Sequence, residues 1–216
     1  MIEKLLKTKE WDADTTTKFF KALVNLSDEE KCVVISDTSK ELMKRGGQAN
    51  LSAVETILVS ATQCYFNVAD NEYKALVYYR LGEFYEMHKG NFIRAYTYYE
   101  KYTLNTKNGG THALLLRALL LRDDFTYSDE LEKELRLSYG EPDLGLRNDR
   151  LFENIGALVV ARHEGTDEAL CDEYIKRIKN IVKADELFFP DFIFKKDTVR
   201  DILEIPQKVF DFVNTL

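Results

Sequence analysis

Residues 78–102 read YYRLGEFYEMHKGNFIRAYTYYEKY. Tyrosines, Leu81 and Phe84 crowd around Gly82 in the first half, and Tyr96, Tyr98, Tyr99 and Tyr102 follow in the second. Residues three, four and seven apart share one face of a helix, so Tyr78, Leu81, Gly82 and Tyr85 form a single face. Ala95 and Tyr99 form the matching face of the helix that follows Gly90 and Asn91. Gly82 removes a side chain where that second helix must approach, Ala95 is the small residue it presents, and the aromatics fill the space around them. On this reading the stretch is a helical hairpin and its rings are packing.

The whole chain supports a helical reading. Three prolines and ten glycines in 216 residues leave few interruptions to regular structure. Leu, Ala, Glu and Lys are abundant and alternating apolar and polar runs are scarce, which makes the expected class all-α. A hydrophobic share of 45% supplies a core, and a charged share of 31% solvates the surface. The length suits one domain of moderate size or a short array of repeated units.

The formal net charge of −7 repels phosphate backbones unless Lys and Arg gather on one face. The longest basic stretches, Lys44 with Arg45 and Lys195 with Lys196, are too short for that, so nucleic acid is not an expected partner. The opening MIEKLLKTKEWDADTTT has no continuous apolar region of the secretory kind, and no stretch reaches the roughly 18 apolar residues of a membrane span. Cys32, Cys64 and Cys171 are odd in number and lack CxxC spacing, which points to reduced thiols and a cytoplasmic setting.

Start and stop signals divide the chain into about ten helices. Asp14 or Thr15 is the expected cap of a helix through Leu26, with Phe19, Phe20 and Leu23 on one side. SDEE at 27–30 is a capping box, and its helix is expected to end at Gly46 and Gly47. Ser52 is the expected cap of the next helix, which Asp70 and Asn71 end. Helices over 72–89 and 92–106 follow, then one from Thr111 to Arg122 and one capped by Ser128 and closed by Gly140 and Pro142. Segments 147–163 and 167–183 are joined by Glu164, Gly165 and Thr166. A last helix is expected from Asp197 or Thr198, kinked or broken at Pro206. With no flexible linker in view, 1–216 reads as one helical body: N-terminal helices over 1–70, helix pairs over 72–183, and a C-terminal segment over 184–216.

The order Tyr78, Leu81, Gly82, Tyr85, then Ala95 and Tyr99, resembles the tetratricopeptide repeat (TPR) pattern W-x2-L-G-x2-Y…A-x3-F and the related Sel-type repeats. Tyrosines replace the tryptophan and the phenylalanine. A second copy reads Phe152, Ile155, Gly156 and Val159, with Ala169 later, and glycine to alanine is 13 residues in both. Gly82 and Gly156 lie 74 residues apart, twice 37, which leaves room for a middle unit at 109–144 that carries Leu115, Ala118 and Leu119 but no glycine. The proline usual after the second helix is absent, the inter-helix turn is one residue longer, and Glu173 stands where an aromatic is usual. The resemblance covers 72–183, and 27–69 is a candidate for a further pair. It implies a right-handed α-solenoid of antiparallel helix pairs; a globular helical bundle is the alternative.

In such arrays the first helix of each pair lines a concave face. The resemblance implies that this face holds extended peptides or helices of other proteins. The residues it offers here are Tyr79, Arg80, Glu83 and Glu86, and on the 147–163 helix Arg150, Glu153 and Asn154, with Ala157 and Val160 beside them. The mixture of acids with Tyr79 and Arg80 suits a partner segment with some positive charge. Some TPR domains clamp an acidic C-terminus here, but Glu83 and Tyr79 occupy the places that clamp needs for basic and amide groups.

No GxSxG, GxxxxGK[ST], HExxH or GxGxxG motif is present, so neither catalytic residues, a metal nor a cofactor is expected. His88, His112 and His163 are scattered and read as structural; Asp123 with Asp124 and Asp185 with Glu186 read as solvated acids. Cys32 beside Lys31 is the one thiol with a neighbouring cation to lower its pKa. The segment FFPDFIF (188–194) is expected to cap the last helix pair, or else to be an exposed patch that supports a homodimer. The expected function is non-enzymatic: a protein-interaction adaptor or regulator. A peptide-sensing domain working with a separate effector and a helical enzyme with an unrecognised site are the alternatives.

Overall fold

The computed structural model describes residues 2–64, 70–107, 111–139, 147–187 and 206–216. Among these the chain is all-α, with eleven helices and no strand: α1 (Ile2–Leu6), α2 (Ala13–Leu23), α3 (Asp28–Arg45), α4 (Gln48–Cys64), α5 (Asn71–Met87), α6 (Phe92–Asn105), α7 (Thr111–Arg122), α8 (Asp129–Ser138), α9 (Arg147–His163), α10 (Glu168–Leu187) and α11 (Gln207–Val213). The chain divides into two compact units, Met1–Lys107 and Asn108–Leu216. The division falls inside the 72–183 stretch that the repeat pattern spans.

The helix ends follow the chemistry of their caps. Ser27 Oγ accepts from the Glu30 backbone N–H while the Glu30 carboxylate accepts from that of Ser27, so the capping box forms as read. Gly46 closes α3 at φ +62°, a left-handed value that favours glycine, and its N–H donates to the Leu42 and Met43 carbonyls. Asp70, Asn91 and Ser128 cap α5, α6 and α8 through their side chains.

Three expectations about boundaries change. Asp12, not Asp14 or Thr15, caps α2, because its carboxylate accepts from both the backbone and the hydroxyl of Thr15. The helix ends at Leu23 rather than Leu26. Ser52 lies inside α4, which starts at Gln48 directly after the turn at Gly46 and Gly47. Asn50 holds that start: its amide donates to the Gly46 carbonyl at 2.8 Å and its oxygen accepts from the Trp11 backbone N–H at 3.0 Å. Pro206 precedes α11 at its N-cap, a place where a missing N–H costs nothing. The expected stops at Gly109, Gly110, Gly140 and Pro142, the start at Asp197 or Thr198, and the segment 188–194 lie outside the described residues.

In the first unit α3 packs against α4 and α5, α4 also meets α5, and α5 packs on α6. Its core is built from Trp11, Phe19, Leu23, Ile35, Leu42, Ile57, Leu58, Leu81 and Phe84, all essentially inaccessible. In the second unit α7 packs on α8 and α9, and α9 on α8 and α10. Leu116, Leu119, Leu131, Phe152, Ile155 and Leu158 fill its core. The last helix joins this unit: Lys208 Nζ donates to the Leu121 carbonyl at 2.8 Å and pairs with Asp124 at 3.0 Å, and Phe212 stacks on Phe125 with centroids 4.2 Å apart.

The two glycines of the repeat pattern are used differently. The Tyr99 ring of α6 lies over Gly82 so closely that a Cβ there would fall 2.9 Å from Tyr99 Cζ. Gly82 therefore admits the second helix of its own pair, as its place in the pattern requires. Gly156 instead meets Leu116 and Leu135, from α7 and α8, and Ala169 is exposed. The echo in the sequence is not an echo in packing, because α10 does not press its alanine onto α9.

Candidate functional site

The tyrosines of 78–102 interleave across the α5–α6 hairpin. Tyr85 and Tyr98 stack nearly parallel at 5.6 Å, with Tyr78 stacked on Tyr98 at 6.4 Å. Lys101 lies over both Tyr78 and Tyr98, and Arg94 over Tyr85. The Tyr85 hydroxyl donates to Glu55 and accepts from Arg94, each at 3.0 Å. Burial of the ring, then the hydrogen bond to the Glu55 carboxylate, hold the Tyr85 hydroxyl above its ordinary pKa, while the Lys89 hydrogen bond lowers that of Glu55. These groups are occupied with one another, which makes the hairpin a fastening.

The residues expected to face a partner divide by their surroundings. Tyr79 lies against Tyr99 and Tyr102 of α6, at 6.2 and 5.4 Å, so its half-buried ring packs into the hairpin. Glu86 is 2% exposed and its carboxylate accepts from the Tyr99 hydroxyl at 2.9 Å. It belongs to the interior and leaves the candidate surface, because a partner would have to open the hairpin to reach it. Arg80 and Glu83 form an ion pair, and Arg80 Nε also donates to Ser36 Oγ of α3 at 3.3 Å. Arg150, Glu153 and Asn154 lie on α9 of the second unit; Arg150 is exposed, Glu153 and Asn154 are half-buried, and the Asn154 amide donates to the Arg150 carbonyl.

A surface feature that sequence reasoning missed lies beside Arg80. Tyr73, Leu76, Arg80 and Glu83 recur at helical spacing along one stripe of α5. Next to the first of them a groove of about 260 Å³ is lined by Leu26, Glu29, Glu30, Val33, Val34 and Tyr73. The Tyr73 end of α5 thus meets the early turns of α3, and Arg80 meets Ser36 two turns on, so the two helices run in the same direction. Val33 and Leu76 are 37% and 40% exposed. The signal for the groove was the doublet Val33–Val34 in a polar helix: adjacent helical residues cannot both face one core. A larger hollow of about 950 Å³ lies where Leu6, Lys7 and Lys9 face the turn from Arg45 to Asn50, and Arg45 is already engaged with Glu41 and the Thr8 carbonyl.

The histidines and the Asp123–Asp124 pair have structural partners, His88 lying against Phe84 and Asp124 pairing with Lys208, while the side chains of Asp185 and Glu186 lie outside the described residues. His163 stacks on Tyr127 with centroids 3.6 Å apart, and His112 Nδ1 lies 2.7 Å from the buried Glu134 carboxylate. Asp123 pairs with Arg122. Cys32 corrects an expectation: burial, then the carboxylates of Asp28 and Glu29, push its thiol up to about 11, and Lys31 does not outweigh them. Among the described residues no group of three or more His, Cys, Asp or Glu is placed to hold a metal ion, and no helix is long and apolar enough to cross a membrane. Comparison with protein-family models, with curated proteins and with solved structures finds no match.

Proposed function

We propose that this chain is a non-enzymatic protein-interaction module, a cytoplasmic adaptor or regulator of TPR-like α-solenoid construction, which holds a segment of a partner protein. The observation that carries the reading is the α3–α5 face. Each of these helices opens an antiparallel pair, α3 with α4 and α5 with α6, and the two lie side by side in the same direction. That is the arrangement in which TPR-like pairs line a binding face with their first helices. The face offers partly exposed apolar side chains, Val33 and Leu76, beside the Arg80–Glu83 pair. The Gly82–Tyr99 approach in α5–α6 also supports the family resemblance, which rests on this hairpin more than on α9–α10.

The test is affinity capture from the native source, followed by the dissociation constant of each captured protein for wild type and Glu83→Lys. A tenfold or greater loss on charge reversal supports the face; unchanged affinity for every captured protein removes it.

A further inference from the structure

We propose that the α3–α5 groove takes one bulky apolar side chain of a segment that carries Lys or Arg on both sides of it, an inference that rests on the interaction-module reading above. The size of the groove argues for a single side chain. Its volume of about 260 Å³ lies below the ~300–1,000 Å³ of sites that enclose a whole small ligand. It exceeds the ~150 Å³ cavity that admits a benzene-sized group. The lining is apolar where such a side chain would rest, on Leu26, Val33, Val34 and Tyr73.

The charge at the edge argues for cations. Glu29 and Glu30 both line the groove, and neither forms an ion pair among the described residues. One Glu30 oxygen accepts from the Ser27 N–H, which leaves the other available, whereas Asp28 is already paired with Lys31. Arg80, further along, is already paired with Glu83, so it does not offset these two carboxylates. A neutral apolar segment would fit the volume but leave both carboxylates to water; an acidic one would face like charges. Exposed ion pairs each contribute at most about fivefold in affinity and weaken with salt.

The experiment uses the full chain and two fluorescein-labelled peptides, KLAKLAKKLAKLAK and its counterpart with Glu in place of every Lys. Anisotropy titrations compare wild type with Val33→Asn and with Glu29→Gln/Glu30→Gln; Gln keeps the helix cap, and circular dichroism verifies folding. The proposal expects the Lys peptide to bind wild type, to lose about tenfold on Val33→Asn and about five- to twentyfold on the double Gln variant, and to weaken with salt. Equal binding of the Lys peptide by wild type and Val33→Asn overturns it, since the attraction would then be to acidic surface in general. Tighter binding of the Glu peptide, still dependent on Val33, overturns the cationic assignment and leaves the module reading standing. Binding of neither peptide overturns the inference, while the capture with Glu83→Lys still decides the module reading separately.

Discussion

Tyr99 occupies the space that a side chain on Gly82 would need, and its hydroxyl continues past that gap to the buried carboxylate of Glu86. One residue of α6 therefore fixes both how near the two helices lie and where a buried acid finds a donor.

Gly82→Ala should destabilise the chain by about 1–3 kcal/mol, because the new methyl meets an aromatic ring that cannot retreat. Gly156→Ala is the control. There a Cβ lies 3.2 Å from Leu116 Cδ1 and 3.4 Å from Leu135 Cδ1, the ends of flexible side chains. Alanine gains about 1 kcal/mol over glycine in a helix, so this variant should stay within about 1 kcal/mol of wild type. Urea unfolding of both variants checks the contrast.

Tyr99→Phe keeps the ring over Gly82 and removes the hydrogen bond to Glu86. Bonds to charged groups contribute about 1.5–3 kcal/mol, so a loss in that range is expected from the same unfolding measurement. Restoration of stability by Glu86→Gln in the Phe background would show that the cost lies in the carboxylate.

The thiols should separate cleanly by reactivity. Cys64 is exposed and should react with a disulfide reagent in the folded chain, whereas Cys32 is fully buried and should react only on unfolding. Its folded pKa of about 11 lies above the ordinary 9.0. The stability held by the neutral thiol is thus complete below pH 9 and is lost as pH rises from there through about 11. The stability difference between wild type and Cys32→Ala should narrow over that window.

The turn after α7 carries a local strain that α11 helps to hold. Asp124 and Phe125 both have φ of 57°, a region few side chains adopt readily. Phe125 is repaid by its stack on Phe212, so Phe212→Ala should cost about 1–3 kcal/mol. Asp124→Gly relieves the backbone and loses only an ion pair to a largely exposed carboxylate, so it should be neutral or stabilising by up to about 1 kcal/mol. Thermal melts should show a lowered midpoint for Phe212→Ala and an unchanged or raised one for Asp124→Gly.

Much of the fold was legible because helix ends are local chemistry. The Ser27–Glu30 box, the glycine stop at Gly46 and the Ser128 cap each act within four residues and form as read. The start of α4 was not legible, since it depends on Asn50 bonding to Trp11, 39 residues away. The repeat pattern identified the tight α5–α6 hairpin but overreached at Gly156, where the same spacing serves contacts from the preceding helices. On the candidate surface, the spacing that put Glu86 beside Glu83 could not foresee that Tyr99 draws Glu86 inward, or that α3 supplies the other wall of the groove.

The most direct test of the interaction reading is site-specific photo-crosslinking in the native source, with a photoreactive residue placed at Leu76 and, as control, at Ile93 on α6. Both positions are exposed, at 40% and 69%, and only Leu76 shares a stripe with Tyr73, Arg80 and Glu83. Discrete protein adducts are expected from Leu76 and not from Ile93. The same adducts from both positions, or none from Leu76, would contradict the interaction reading.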